Sequence, residues 1–350
     1  MQDFEAALPT GTAEHHAVEE GARSIGRRLQ HFLHGNPTSI PAFILVLSVT
    51  LFSLLVGGHF FDAFNLSLVL QQVTIIALVG IAQTLIVLTA GIDLSVGAIM
   101  VLCSIVMGRL AYEFHVPVAF AFTAGLALGL ACGWVNGILV TVFRLPPFIV
   151  TLGTWSVYFA LNLWYSKGET IRESDIDQVA PFLHWTGHAV NVFGGRLTTG
   201  SMLMIGLYAL FWFILNWTAF GTHVYATGDD PDSARLAGIR TNRVLIAVYA
   251  VAGLICAIAG WVLIGRTGAV SPQSGYTSNL DSITAVVIGG TSLFGGRGSI
   301  IGTVLGALIV GVFRNGLALY GVDVLWQEFT VGVLIIVAVA LDQWIRQVSS

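Results

Sequence analysis

The residues that could do chemistry in this chain are few, and they sit where lipid makes them costly. Asp93 and Ser95 lie in the turn Thr-Ala-Gly-Ile-Asp-Leu-Ser-Val-Gly at 89–97, between two apolar runs. A carboxylate inside such a run must face protein, water or the membrane surface. Asp93 or Ser95 is placed to cap a helix beginning at Val96. A broken helix lining a polar path would also offer N–H donors to a hydroxyl-rich solute, so Gly91, Asp93 and Ser95 are candidate path residues. A second set follows the pair Pro146-Pro147, which marks a helix start, with Arg144 at the inner surface. Thr151, Thr154, Trp155, Tyr158 and Asn162 then offer hydroxyl, amide and flat aromatic surface along one segment, and Asn136 in the preceding span joins them as a candidate. Sugars are held by hydrogen bonds to hydroxyls plus apolar contact with their ring faces, which these residue types supply. The alternative is ordinary helix packing, with Trp164 and Tyr165 in the interfacial belt.

Other chemistries are excluded or unsupported. His184 and His188 have the four-residue spacing of a helical zinc pair, but the intervening Trp-Thr-Gly brings no general-base Glu and favours a loop. Cys103, Cys132 and Cys256 are odd in number and lie in apolar runs, as small core residues do. The chain's one lysine, Lys167, is followed by Gly168 and Glu169, so no phosphate loop ending in Gly-Lys-Ser/Thr exists here. No catalytic residue, metal or cofactor is expected, nor a nucleic-acid partner.

A third candidate is the polar segment from Tyr225 to Ile239. Asp230 is a good N-cap, Pro231 fits the first helical position and Gly238 is a natural stop, so a short helix is expected from Pro231 to Ala237. Ala234, Leu236 and Ala237 are small or apolar, and a helix of two turns is unstable alone. A docking partner would explain both facts; a loop folded back on its own protein is the competing reading.

The elements that must position these residues are membrane spans. Of 350 residues 55% are apolar, against 15 basic and 19 acidic, and mean hydropathy is +0.83. A soluble domain carries about 25% charge, so that class is ruled out. Apolar runs near 42–58, 66–89, 96–112, 117–142, 147–165, 200–217, 244–264, 283–294, 300–319 and 324–341 give an all-α polytopic bundle of about ten transmembrane helices, eight to ten being accommodated, some broken or re-entrant. The run at 96–112 carries Arg109 and that at 283–294 is short for a bilayer. Arg23, Arg27, Arg28, Arg144, Arg235, Arg240, Arg243, Arg297 and Arg346 gather on one side and Lys167, Arg172, Arg196 and Arg266 on the other, which predicts both termini in the cytoplasm. The loop at 166–199 is then outside and that at 218–243 inside.

Two further patterns concern packing. Gly125, Gly129, Gly133 and Gly137 share one helix face, and Gly302 and Gly306 repeat the device, so backbones can approach closely there. Gly-rich interruptions at 89–97 and 289–299 occur in both halves, as in repeated transporter architectures. The tail 1–39 lacks a signal-peptide pattern; at 23–34 it carries Ile25, Leu29, Phe32 and Leu33 at helical spacing among arginines, as an interfacial helix or a disordered tail would.

The stretches at 91–97, 146–154, 234–239 and 289–306 together resemble the permease subunits of ribose- and xylose-type ABC sugar importers, in the same order along roughly 42–341. The resemblance implies a permease domain at 40–345, two permease subunits forming the path, by default a homodimer in the bacterial inner membrane lipid, and a periplasmic sugar-binding protein that delivers a monosaccharide. It also implies a separate ATPase subunit that uses the ATP and contacts Asp229, Asp230, Pro231, Ala234, Arg235, Leu236, Ala237 and Gly238. Two other readings are a branched-chain amino-acid ABC permease and a proton-coupled secondary transporter with Asp93 as proton carrier.

Overall fold

The computed structural model describes residues 38–192, 194–275 and 277–346. The tail at 1–39, with its expected interfacial helix at 23–34, falls outside them except for its last two residues. Helix α1 (Ser39–Val56) runs into a 3-10 turn at Gly57–Phe61 and leads to α2 (Ala63–Leu88), α3 (Val96–Tyr112), α4 (Val118–Thr141) and α5 (Pro147–Ser166). After a mixed segment come α8 (Thr199–Trp217), α9 (Ala219–Asp229), α10 (Pro231–Leu236), α11 (Thr241–Thr267), α12 (Ser278–Ile288), α13 (Ile300–Leu319) and α14 (Val324–Arg346).

Among the described residues six helices are long and apolar enough to cross a membrane: α1 with its 3-10 turn, α2, α4, α8, α11 and α13. Helices α3 and α12 and the stretch Val324–Val337 of α14 are apolar but shorter. Helices this apolar all round are told apart by depth in the bundle rather than by a polar face. The most apolar windows of α2 and α11 are 67% and 61% buried, whereas that of α1 is 17% buried and turns Phe43 and Leu54 outward. With α13, whose window is also 61% buried, α2 and α11 form the centre of the bundle.

The expected span at 283–294 is corrected: α12 starts earlier, at Ser278, and stops at Ile288, because Gly290, Gly295, Gly296 and Gly298 take positive φ, which a right-handed helix does not allow, and turn the chain back. The first interruption behaves likewise, with Ala90 at φ 59° after the end of α2. Arg109 does not disrupt α3, since it lies near the helix end and its guanidinium donates to the Ser166 carbonyl and pairs with Glu113 and Glu169. The all-α reading needs one amendment. The segment at 166–199 is no open loop but holds α6 (Glu173–Val179), α7 (Pro181–His184), a 3-10 turn at Trp185–Gly187 and a hairpin of β1 (Ala189–Val192) and β2 (Gly195–Thr198), paired antiparallel from Ala189 opposite Thr198.

Both glycine stripes lie at backbone crossings. A Cβ on Gly133 would collide with the Tyr249 carbonyl, and one on Gly129 or Gly137 with α11 as well; Gly125 faces the Met107 side chain instead. Gly253 on α11 answers the stripe, meeting the Gly129 carbonyl. Gly302 and Gly306 bring α13 against Gly289 and Ala285 in the same way.

Candidate translocation site

The candidate residues fall into two groups. The first is a hydrogen-bonded network that ties the first interruption to α4 and α5. Asp93, 2% exposed, accepts the backbone N–H and the hydroxyl of Ser95, both at 2.6 Å. The amide of Asn136 donates to the Ser95 hydroxyl at 2.8 Å, and the Tyr158 hydroxyl donates to the Cys132 carbonyl at 3.1 Å and reaches Asn136 Oδ1 at 3.4 Å. Thr151 donates to the Ile92 carbonyl at 3.1 Å, and Thr154 to the Thr151 carbonyl at 3.4 Å. Gly91 closes the turn by donating to Ile86 at 3.0 Å, and a Cβ there would press on Ile86 and Tyr249. The groups of this network bond to one another and none of them lines the pockets described below, so the network fixes the turn.

Ser95 occupies the cap position of α3, but its side chain makes no capping bond; its proton goes to Asp93. The free N–H of Gly97 is instead accepted by the side chain of Asn279, in the first turn of α12, at 2.5 Å. The starts of the two short helices therefore face one another inside the bundle.

The second group lines a narrow pocket beside that junction, with about 30 Å³ of enclosed space. Trp155 and Phe159, stacked at 5.7 Å and 12°, form one wall, and Asn162, Gln273, Gly97 and Asn279 contribute others. Asn162 is 2% exposed; its Nδ2 donates to the Pro272 carbonyl at 3.0 Å, while its Oδ1 has no partner among the described residues. A flat aromatic wall with an unpaired amide acceptor next to it offers the contacts that a sugar's ring face and hydroxyl would use, in a space that must widen to admit one. Of the residues singled out from sequence, Trp155 and Asn162 meet here. Phe159, Gln273 and Asn279 are additions; the run Thr277-Ser278-Asn279 signals a helix start, but not that its amide would serve another helix.

The two interruptions also touch at the C-terminal end of α2. Gly296 N–H donates to the Leu88 carbonyl at 3.0 Å, the Tyr225 hydroxyl donates to Gly298 at 3.0 Å, and Gly228 packs so closely on Leu88 that no Cβ fits. This junction leads through α9, which ends at Asp229, into α10. Asp230 caps α10 by accepting the N–H groups of Asp232 and Ser233 at 3.0 and 3.2 Å and the Ser233 hydroxyl at 2.5 Å. Those bonds, the Ser233 hydroxyl first, hold its carboxyl below the ordinary value of 3.8. Pro231 takes the first helical position and Gly238, at φ 88°, ends the turn, two residues after α10 has stopped at Leu236, one residue short of the expected Ala237. Ala234 is buried against its own chain; Arg235 reaches Asp232 and Thr241; Ala237 is exposed and Leu236 is 91% exposed.

His184 is paired with Asp177 at 3.0 Å and Glu173 at 3.5 Å and stacks on His188 at 6.2 Å. The two carboxylates are exposed ion-pair partners at the bundle end.

Apolar helices around two interrupted segments that meet inside the bundle define a polytopic membrane protein of transporter type. Residues 65–339 match the family described as branched-chain amino acid transport system / permease component, and the chain belongs to this family of ABC importer permeases. It is 51% identical to the fructose import permease protein FrcC of Rhizobium meliloti, over 100% of this chain and 97% of that one. The ribose import permease protein RbsC of Bacillus subtilis is 37% identical, over 86% and 90% of the two chains, and the D-allose transport system permease protein AlsC of Escherichia coli is 34% identical, over 87% and 91%. These relatives are transport components rather than enzymes. No solved structure matches the chain.

Proposed function

We propose that this chain is the membrane-spanning subunit of an ATP-driven importer that carries a monosaccharide inward by alternating access, with fructose the first sugar to test. A sugar with about five hydroxyls loses on the order of 1–3 kcal/mol for each group left unpaired in lipid, so its passage requires a lined path. The observation that carries the reading is α10: a capped helix of 6 residues that buries Ala234 and turns Leu236 outward, 91% exposed, in a chain half identical to a fructose import permease. In this reading the α10 end faces the cytoplasm, as the bias of arginines to that side favours, and Leu236 and Ala237 meet a separate ATPase. Movement of α10 passes through Asp229 and Gly228 to the Leu88–Gly296 junction, and from there along α2 and α3 to the pocket at Trp155 and Asn162. A binding protein docks on the segment at 166–199, and two copies of the chain in the inner membrane complete the path.

The test is uptake of labelled sugar by proteoliposomes holding the permease with its ATPase and binding protein. Uptake is expected to require both partners and ATP, and to survive an uncoupler. Leu236→Asp, on an exposed side chain, should weaken ATPase association by roughly 30-fold or more, as loss of a central apolar anchor does. Uptake without the ATPase would overturn the proposal. The family description favours one other reading, a branched-chain amino-acid permease; leucine uptake in place of sugar uptake would establish it.

A further inference from the structure

A larger cavity, about 1190 Å³ with its open mouth, lies on the other side of the segment that walls the Trp155 pocket. Ser274 and Gly275 line both spaces, and the Asn162 bond to Pro272 anchors the strip between them. The cavity is bounded by α2, α11, α12, α13 and α14, opens past exposed Thr267 and Ala318, and narrows to Ile75, Ile76 and Ser278, all buried. Its enclosed part, about 560 Å³, lies within the usual ~300–1,000 Å³ of small-molecule sites.

The chemistry of its wall is polar but balanced. Arg314 donates to Asp281 at 2.7 Å and grips Glu328 through two bonds at 2.8 and 3.1 Å, and the Thr277 hydroxyl completes Asp281 at 3.2 Å. Arg266, Arg314 and Asp281 line the space, and Glu328 lies outside the lining but is paired to Arg314, so the four charges sum to zero and favour neither anions nor cations strongly. What is left over is hydrogen-bonding capacity. The Gln72 side-chain oxygen is buried with no partner among the described residues, and so is Arg314 Nε. Gln327 donates to the Val322 carbonyl at 3.0 Å, which leaves its own oxygen open. Buried donors and acceptors without partners carry a desolvation cost that a hydroxylated ligand would relieve.

We propose that this cavity is a vestibule of the permease itself, which receives a neutral polyhydroxylated solute through Gln72, Gln327 and Arg314 before it reaches the Trp155 pocket. The inference rests on the import reading above and names residues that reading does not use.

The test is site-directed labelling in right-side-out membranes carrying the assembled transporter. Ala318→Cys places a thiol at the mouth, while Cys103, Cys132 and Cys256 are buried. Titrated fructose is expected to slow its reaction with a membrane-impermeant thiol reagent, by about tenfold at roughly ten times the dissociation constant, since the free fraction alone reacts. Gluconate, an anion of similar size, is expected to protect far less. Adding Gln72→Leu and Gln327→Leu should remove the protection while the rate without sugar stays the same. Thr267→Cys on the opposite rim is the second reporter, and co-purification of each variant with the ATPase subunit as a single species on gel filtration shows that it is folded. Unprotected thiols in a transporter that imports fructose, protection that survives the two leucines, or equal protection by gluconate would each overturn the vestibule. If the parent transporter imports no sugar at all, the import reading itself falls, whatever the labelling shows.

Discussion

The side-chain oxygen of Asn279 accepts the backbone N–H of Gly97 at 2.5 Å, so the first turn of α12 caps α3 from a distance of 182 residues. Helix starts leave N–H groups without internal partners, and inside a lipid-embedded bundle no bulk water is at hand to satisfy them. Ser95, the local candidate for that task, bonds Asp93 instead. The contact joins the two short helices and also forms part of the wall of the Trp155 pocket.

Replacing this cap should loosen α3 at its start. Asn279→Ala is expected to cost about 1 kcal/mol, the usual price of a lost N-cap, and to speed amide exchange at Gly97 ahead of the rest of α3. Hydrogen exchange read by mass spectrometry checks it; unchanged exchange across the first turn would show that the bond contributes nothing.

The glycine stripe predicts effects of opposite sign within one family of substitutions. Gly133→Ala puts a methyl into the Tyr249 carbonyl and should destabilise the bundle by about 1–3 kcal/mol, as overpacking does. Gly153→Ala meets nothing within 4 Å in the interior of α5 and should be neutral or stabilising by up to about 1 kcal/mol, because alanine restricts the unfolded chain. Thermal unfolding of the two purified variants separates them.

Asp93→Asn distinguishes a structural carboxylate from a proton carrier. The amide oxygen can still accept from Ser95, so sugar uptake is expected to persist and to remain insensitive to an uncoupler. A proton-coupled carrier would lose transport with this one change, and uptake measured with and without uncoupler decides the matter.

Acid should release α10 before it unfolds the bundle. Asp230 has a folded pKa below 3.8 because its charged form accepts bonds from Ser233 and Asp232. A carboxyl lowered in this way contributes its full stabilisation above pH 3.8 and loses it as pH falls through the folded value. Binding of the ATPase subunit is therefore expected to be flat from neutral pH down to about 4 and to weaken below that. In Asp230→Ala that acid-dependent step should be missing from the binding curve.

The sequence alone carried the membrane class, the family likeness and the local signals of α10, because these depend on composition, hydropathy and residues next to one another in the chain. Asp230, Pro231 and Gly238 are read within one turn of helix, and the glycine stripe within one helix face. The span at 283–294 was illegible in its bounds, since apolar residues before Gly289 look alike whether a helix crosses the bilayer or stops halfway. Separation of the candidate path residues into a closed network and an open pocket was illegible too. Asp93, Ser95, Asn136 and Tyr158 form one chain of hydrogen bonds across three elements, while Trp155 and Asn162, on the same helix as Tyr158, are left to face a cavity. Hydropathy measures how each side chain meets lipid or water; which polar groups find partners depends on distances between segments far apart in the chain, and only the tertiary structure decided that.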